Sequence, residues 1–187
     1  MATTRLHRRH RQRRQHGLDR HSGIVPWALN GLVVGLPAGA LFILFEMFIS
    51  GFSNPTLFGP LRLIGAIVLG QGALPPQPAI GAGTVVIVGF VVHFLLAAVF
   101  GAIFGAVLGG LSLGIGALSR SRAALTGAAA VGGILLWLVN FYVIAPIAFP
   151  WFTMVSPVVQ FFAHTVFYGV AYGLLLARRL RSAESAS

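Results

Sequence analysis

The 187 residues would suffice for one ordinary soluble domain, but apolar residues make up 57% and charged residues 9%, against roughly 45–50% and 25% in soluble domains. Thirteen basic and three acidic residues cannot cover a water-facing surface of that size, so most of the outward-facing surface is expected to meet hydrocarbon. Cysteine is absent, which excludes disulfides, thiolate metal sites, iron–sulfur clusters and cysteine nucleophiles.

Residues 1–26 carry the run HRRHRQRRQH and no apolar periodicity, and are expected to form a disordered, basic, cytoplasmic tail. Arg5, Arg8, Arg9, Arg11, Arg13 and Arg14 would lie at the membrane surface, each contributing on the order of 1 kcal/mol to contact with anionic headgroups. No folded RNA-binding motif and no interleaved aromatics accompany the run, so nucleic acid is not expected as a partner.

From Trp27 the character changes. Apolar stretches at 27–49, 84–109, 123–145 and 158–177 each reach the length of about 20 residues that crosses a hydrocarbon core as helix. The fold class expected is therefore an all-α integral membrane protein, a four-transmembrane-helix bundle over 27–177. A shorter apolar piece, 61–74, lies between Pro60 and Pro75 and carries Arg62. Too short to span, it is expected to be an extracytoplasmic interfacial or re-entrant segment with its Arg facing water. Residues 178–187 form the C-terminal tail.

Orientation follows from the arginines. With both termini inside, twelve of the thirteen are cytoplasmic and Arg62 alone is outside, as the positive-inside rule requires of the bacterial cytoplasmic (inner) membrane.

Within the spans the polar exceptions are Glu46, His93, Asn140 and His164, with Gln160, Tyr168 and Tyr172 beside the last. At about 1.5 Å per residue, the first four lie roughly 5–14 Å from the outer ends of their helices, which puts all of them in one outer layer. Gln160, His164, Tyr168 and Tyr172 recur every fourth residue as a slowly drifting stripe that must face protein. Gly35, Gly39 and Phe42 share the face of Glu46, and Gly101, Gly105 and Gly109 form a small-residue ridge of the kind that packs helices in membranes. The chain also reads as two weakly similar halves, one holding Glu46 and His93, the other Asn140 and His164.

From Ala124 through LLWLVNFYVIAPIAFPWFTMVSPVVQFFAHTVFYG to Arg181 the chain resembles the YagU-like bacterial inner-membrane proteins. Shared features are a polar residue closing the third span, a Pro-Trp segment, a Val-Ser dipeptide, an early His in the last span and a terminal Arg cluster. The chain departs from them at Asn140, where the pattern places His. The resemblance implies a four-span inner-membrane protein and carries no reaction with it.

Three functional readings compete. In the first, the polar layer supplies interhelical hydrogen bonds in a non-catalytic accessory or assembly protein with a membrane-protein partner or a second copy of itself. In the second, Glu46, His93 and His164 relay protons or bind a transition metal. In the third, His93 and His164 ligate a haem b as an electron carrier. Enzyme readings lack support: no HExxH or Walker sequence is present, and Glu46 is the sole carboxylate in the spans.

A reporter fused after Ser187 should be active only in the cytoplasm, and one inserted near Gln77 only outside. Periplasmic activity of the C-terminal fusion would exclude the topology.

Overall fold

The computed structural model describes residues 23–53, 56–76 and 79–185, so the basic run with its six membrane-surface arginines lies outside the described residues. Among the described residues every regular element is helical. Helix α1 spans Ile24–Ser53, α2 Gly59–Leu69, α3 Ala82–Gly114, α4 the short Gly116–Arg120, and α5 Arg122–Ala148; α6 covers 157–185. Four of them, α1, α3, α5 and the Pro157–Ser182 part of α6, are long and apolar enough to cross a membrane.

Each apolar stretch read from the sequence is the centre of a longer helix. The 33 residues of α3 reach roughly 50 Å, well beyond a hydrocarbon core of ~30 Å. Hydropathy marks the apolar part of a helix, whereas capping marks its end. Ser121 accepts a hydrogen bond from the Ala124 amide at 3.2 Å to open α5, and Ser156, followed by Pro157, accepts from Val159 to open α6. The stretch 178–187, read as a tail, continues α6 as far as Ser185. There Arg179 Nε donates to Asn30 Oδ1 at 2.7 Å, tying the end of α6 to the start of α1.

Backbone contact between small residues holds the bundle together. On α1, a Cβ at Gly31 would meet the Gly101 carbonyl and Gly105, and one at Gly35 would meet the Ala97 carbonyl. From the other side, a Cβ at Gly101 would fall 2.9 Å from Gly35 Cα, and one at Gly105 would run into the Trp27 carbonyl. The two glycine faces singled out in the sequence thus pack on each other. Likewise α5 meets α6 through Gly133, Gly169 and Gly173. Helix α6 packs against α5 on one side and α1 on the other, whereas α3 and α5 scarcely touch.

Helix α2 occupies most of the segment read at 61–74. It packs on α3 with Leu61, Ile64, Gly65 and Ala66 buried, and a Cβ at Gly89 would collide with the Leu61 carbonyl. Glycine at both positions lets an 11-residue helix sit against α3 at backbone distance, and Gly70, at φ 80°, ends it. Arg62 is accordingly half-buried, and its Nε is sealed without a partner. Trp151, in the turn between α5 and α6, donates from Nε1 to the Leu63 carbonyl at 3.1 Å and fixes α2 from above.

Replacing Gly101 by Ala should destabilise the protein by about 1–3 kcal/mol, since its Cβ meets backbone that cannot rotate away. The same change at Gly127, which has open space, should be neutral or stabilising by up to about 1 kcal/mol. Denaturant unfolding in detergent compares the two.

Candidate functional site

The polar stripe of α6 is buried along its length and nearly every member reaches another helix. Gln160 Nε2 donates to Glu46 Oε1 on α1. Tyr168 donates to the Ala97 carbonyl at 2.9 Å and Tyr172 to the Gly101 carbonyl at 2.7 Å, both on α3. His164 stays within its own helix, with Nδ1 donating to the Gln160 carbonyl at 2.8 Å. On α3, His93 Nε2 donates to the Gly39 carbonyl of α1, also at 2.8 Å. Small residues make this pattern available: helix carbonyls keep a second lone pair, and at Gly39, Ala97 and Gly101 no large side chain covers it.

Glu46, His93, Asn140, Gln160, His164 and Tyr168 all line one cavity of about 350 Å³, a volume within the usual range for small-molecule sites. Its walls come from α1, α3, α5 and α6, with Ile64 and Ile67 of α2 and Phe149 and Phe152 of the α5–α6 turn closing one end. Between the polar groups the lining is hydrocarbon. Asn140 is half-buried there and makes no side-chain hydrogen bond to the other members.

The two histidines share an aromatic neighbour. The Phe42 ring stands against both, its centroid 5.6 Å from that of His93 and 4.8 Å, edge-on, from that of His164. With His93 Nε2 bonded to the Gly39 carbonyl and the Phe42 ring packed against both imidazoles, the arrangement does not fit the bis-histidine haem b reading. Among the described residues no three of His, Asp and Glu are grouped to hold a metal ion, so His93, His164 and Glu46 do not form the ligand set expected of them. The Glu46 carboxyl is turned to Gln160, and each imidazole has one nitrogen committed to a helix carbonyl.

A second cavity, of about 380 Å³, lies towards α2 and the α5–α6 turn, lined by Ser50, Thr56, Arg62, Ser156 and others. Glu46 and Gln160 line both cavities, so their hydrogen bond is the partition between them.

Two wide turns border the cavity that holds the histidines. Asn140–Ile144 in α5 and Ala163–Val170 in α6 are π-helical, with Ala145 N–H bonding the Asn140 carbonyl and Ala171 N–H the Val166 carbonyl, five residues back in each case. In α6 the His164 ring takes the Gln160 carbonyl that an α-helix assigns to the His164 amide, which supplies a cause for the widening. Such turns concentrate at functional sites. Sequence reading missed the contributions of α2 and the contact of Phe42 with both imidazoles; the spacing of Phe42 one turn before Glu46 was the available signal.

Comparison of the chain with protein-family models, with curated proteins and with solved structures gives no match.

Replacing Glu46 and Gln160 by Leu, singly and together, should reveal a coupling of at least about 0.5 kcal/mol in unfolding free energy, because they share one hydrogen bond. Tyr172→Phe, three turns further along α6, should add to Gln160→Leu within about that margin. Coupling of all three alike would point to a global packing effect.

Proposed function

We propose that the chain is a non-catalytic accessory or assembly protein of the bacterial cytoplasmic membrane, with both termini inside and α2 on the outer side. The arginine distribution supports the orientation, and the resemblance of 124–181 to YagU-like proteins supports the membrane. The observation that carries the function is the fate of the polar layer: Glu46, His93, Gln160, His164, Tyr168 and Tyr172 all spend hydrogen bonds within the bundle, most of them joining one helix to another. Groups used in this way contribute on the order of 0.6 kcal/mol each in membrane proteins and specify which helices meet. The basic N-terminal arginines would hold anionic lipid, and a membrane-protein partner or a second copy of the chain would take the remaining exposed faces.

A proton-handling role has one observation in its favour, the position of Glu46 in the wall shared by both cavities. It lacks a continuation: beyond His164 the polar stripe ends in Tyr168 and Tyr172, each donating to a helix carbonyl in close glycine packing.

Metal analysis and a visible spectrum of the detergent-purified protein separate the readings. The expected result is no stoichiometric metal and no Soret band, with Tyr168→Phe and Tyr172→Phe each lowering stability by about 0.6 kcal/mol, up to ~1.7. A Soret band lost in His93→Ala or His164→Ala would replace the accessory reading with the haem one.

A further inference from the structure

The hydrogen bonds of the two histidines define what the cavity they line lacks. A carbonyl oxygen only accepts, so His93 Nε2 and His164 Nδ1 carry protons. Each ring has a carbonyl and not a carboxylate as its partner, and in the neutral imidazole the remaining nitrogens, His93 Nδ1 and His164 Nε2, are lone-pair acceptors. Neither has a protein donor among the described residues. Nor is either among the polar atoms sealed inside the protein without a partner, as Trp137 Nε1 and Thr165 Oγ1 are. Both side chains are more than nine-tenths buried, at 7% and 6% exposure, and both line the cavity. Buried acceptors in native proteins are almost always met by a donor, whether protein, water or ligand.

The rest of the cavity describes the molecule that would bring that donor. Its lining is mainly hydrocarbon, Phe42, Phe100 and Leu136 included. It lies where α3 and α5 barely touch, and the lining residues Leu96 and Ile144 are also 38% and 39% exposed on the side of the bundle. In a membrane that side meets lipid tails, so access is lateral and favours an apolar body. A carboxylate would present only acceptors to the two nitrogens.

We infer that this cavity binds a neutral, apolar molecule bearing a hydroxyl group, taken up from the bilayer, whose O–H donates to His93 Nδ1 or His164 Nε2. A long-chain isoprenoid alcohol and a quinol share that chemistry. The inference goes beyond the accessory-protein reading and does not depend on it.

The test uses the full chain in lipid nanodiscs with four radiolabelled probes: a C20 isoprenoid alcohol, its methyl ether, a short-tailed benzoquinol and its dimethyl ether. One hydroxyl probe should bind with roughly tenfold higher affinity than its ether, the scale of one lost hydrogen bond in a buried site, and which one does so identifies the source. His93→Phe and His164→Phe preserve bulk and remove the acceptors; at least one should bring the alcohol or quinol down to its ether. Should both variants misfold, Leu96→Trp and Ile144→Trp at the rim leave the histidines in place and should abolish binding of hydroxyl probe and ether together. Equal affinity for hydroxyl and ether would overturn the inference in favour of a greasy groove alone. Absence of binding by all four probes, with water as the sole occupant, would overturn it outright.

Discussion

A side chain at Gly31, Gly35, Gly101 or Gly105 would run into the facing backbone, so α1 and α3 meet at a separation that only hydrogen at Cα permits. In a bilayer no hydrophobic force drives apolar helices together, and dispersion between closely packed backbones has to supply much of the association. The same closeness does a second thing. By leaving the carbonyls of Gly39, Ala97 and Gly101 without cover, it creates the acceptors used by His93, Tyr168 and Tyr172. Helix α6 is therefore positioned by hydrogen bonds to a surface that exists only because α1 and α3 carry glycine and alanine there.

The cavity is the complement of that arrangement. With α1 drawn tightly to α3, and α6 pinned to both, α5 is attached mainly through α6 and leaves a gap beside α3. Helix α2 with Phe149 and Phe152 closes one end of the gap, and Phe42 packs against both imidazoles within it. The bundle thus combines a tight glycine-packed half with a loosely filled one, and the polar layer sits where the two halves meet.

The four long helices were legible because 20-residue apolar runs have few other uses, and the α6 stripe because Gln160, His164, Tyr168 and Tyr172 keep a four-residue spacing amid hydrocarbon. Helix ends were not, since α3 continues to Gly114 and α6 to Ser185 through residues whose hydropathy no longer marks them. The packing of α2 was not legible for a physical reason: length and one Arg say nothing about whether a short segment finds glycines on a neighbour, and Gly65 and Gly89 decide it. The coincidence of Glu46, His93, Asn140 and His164 in one layer followed from helix direction and rise. Their chemistry did not follow, because the partners are mostly backbone carbonyls, which a sequence does not distinguish.

The wide turns bear on how a stripe of fourth residues can stay straight over about three turns. In a pure α-helix, side chains four apart advance past a full rotation and wind slowly around the axis; a turn closed at the fifth residue holds more residues and winds them back. The Ala163–Val170 segment acts as a vernier between the two ends of α6, letting Gln160 address Glu46 on α1 while Tyr172 addresses Gly101 on α3. Loss of a single residue from that segment, with reversion to α geometry, would turn everything before it by about 100° relative to everything after it. Chain length within 163–170 is therefore as much a determinant of the partition between the two cavities as the side chains that compose it.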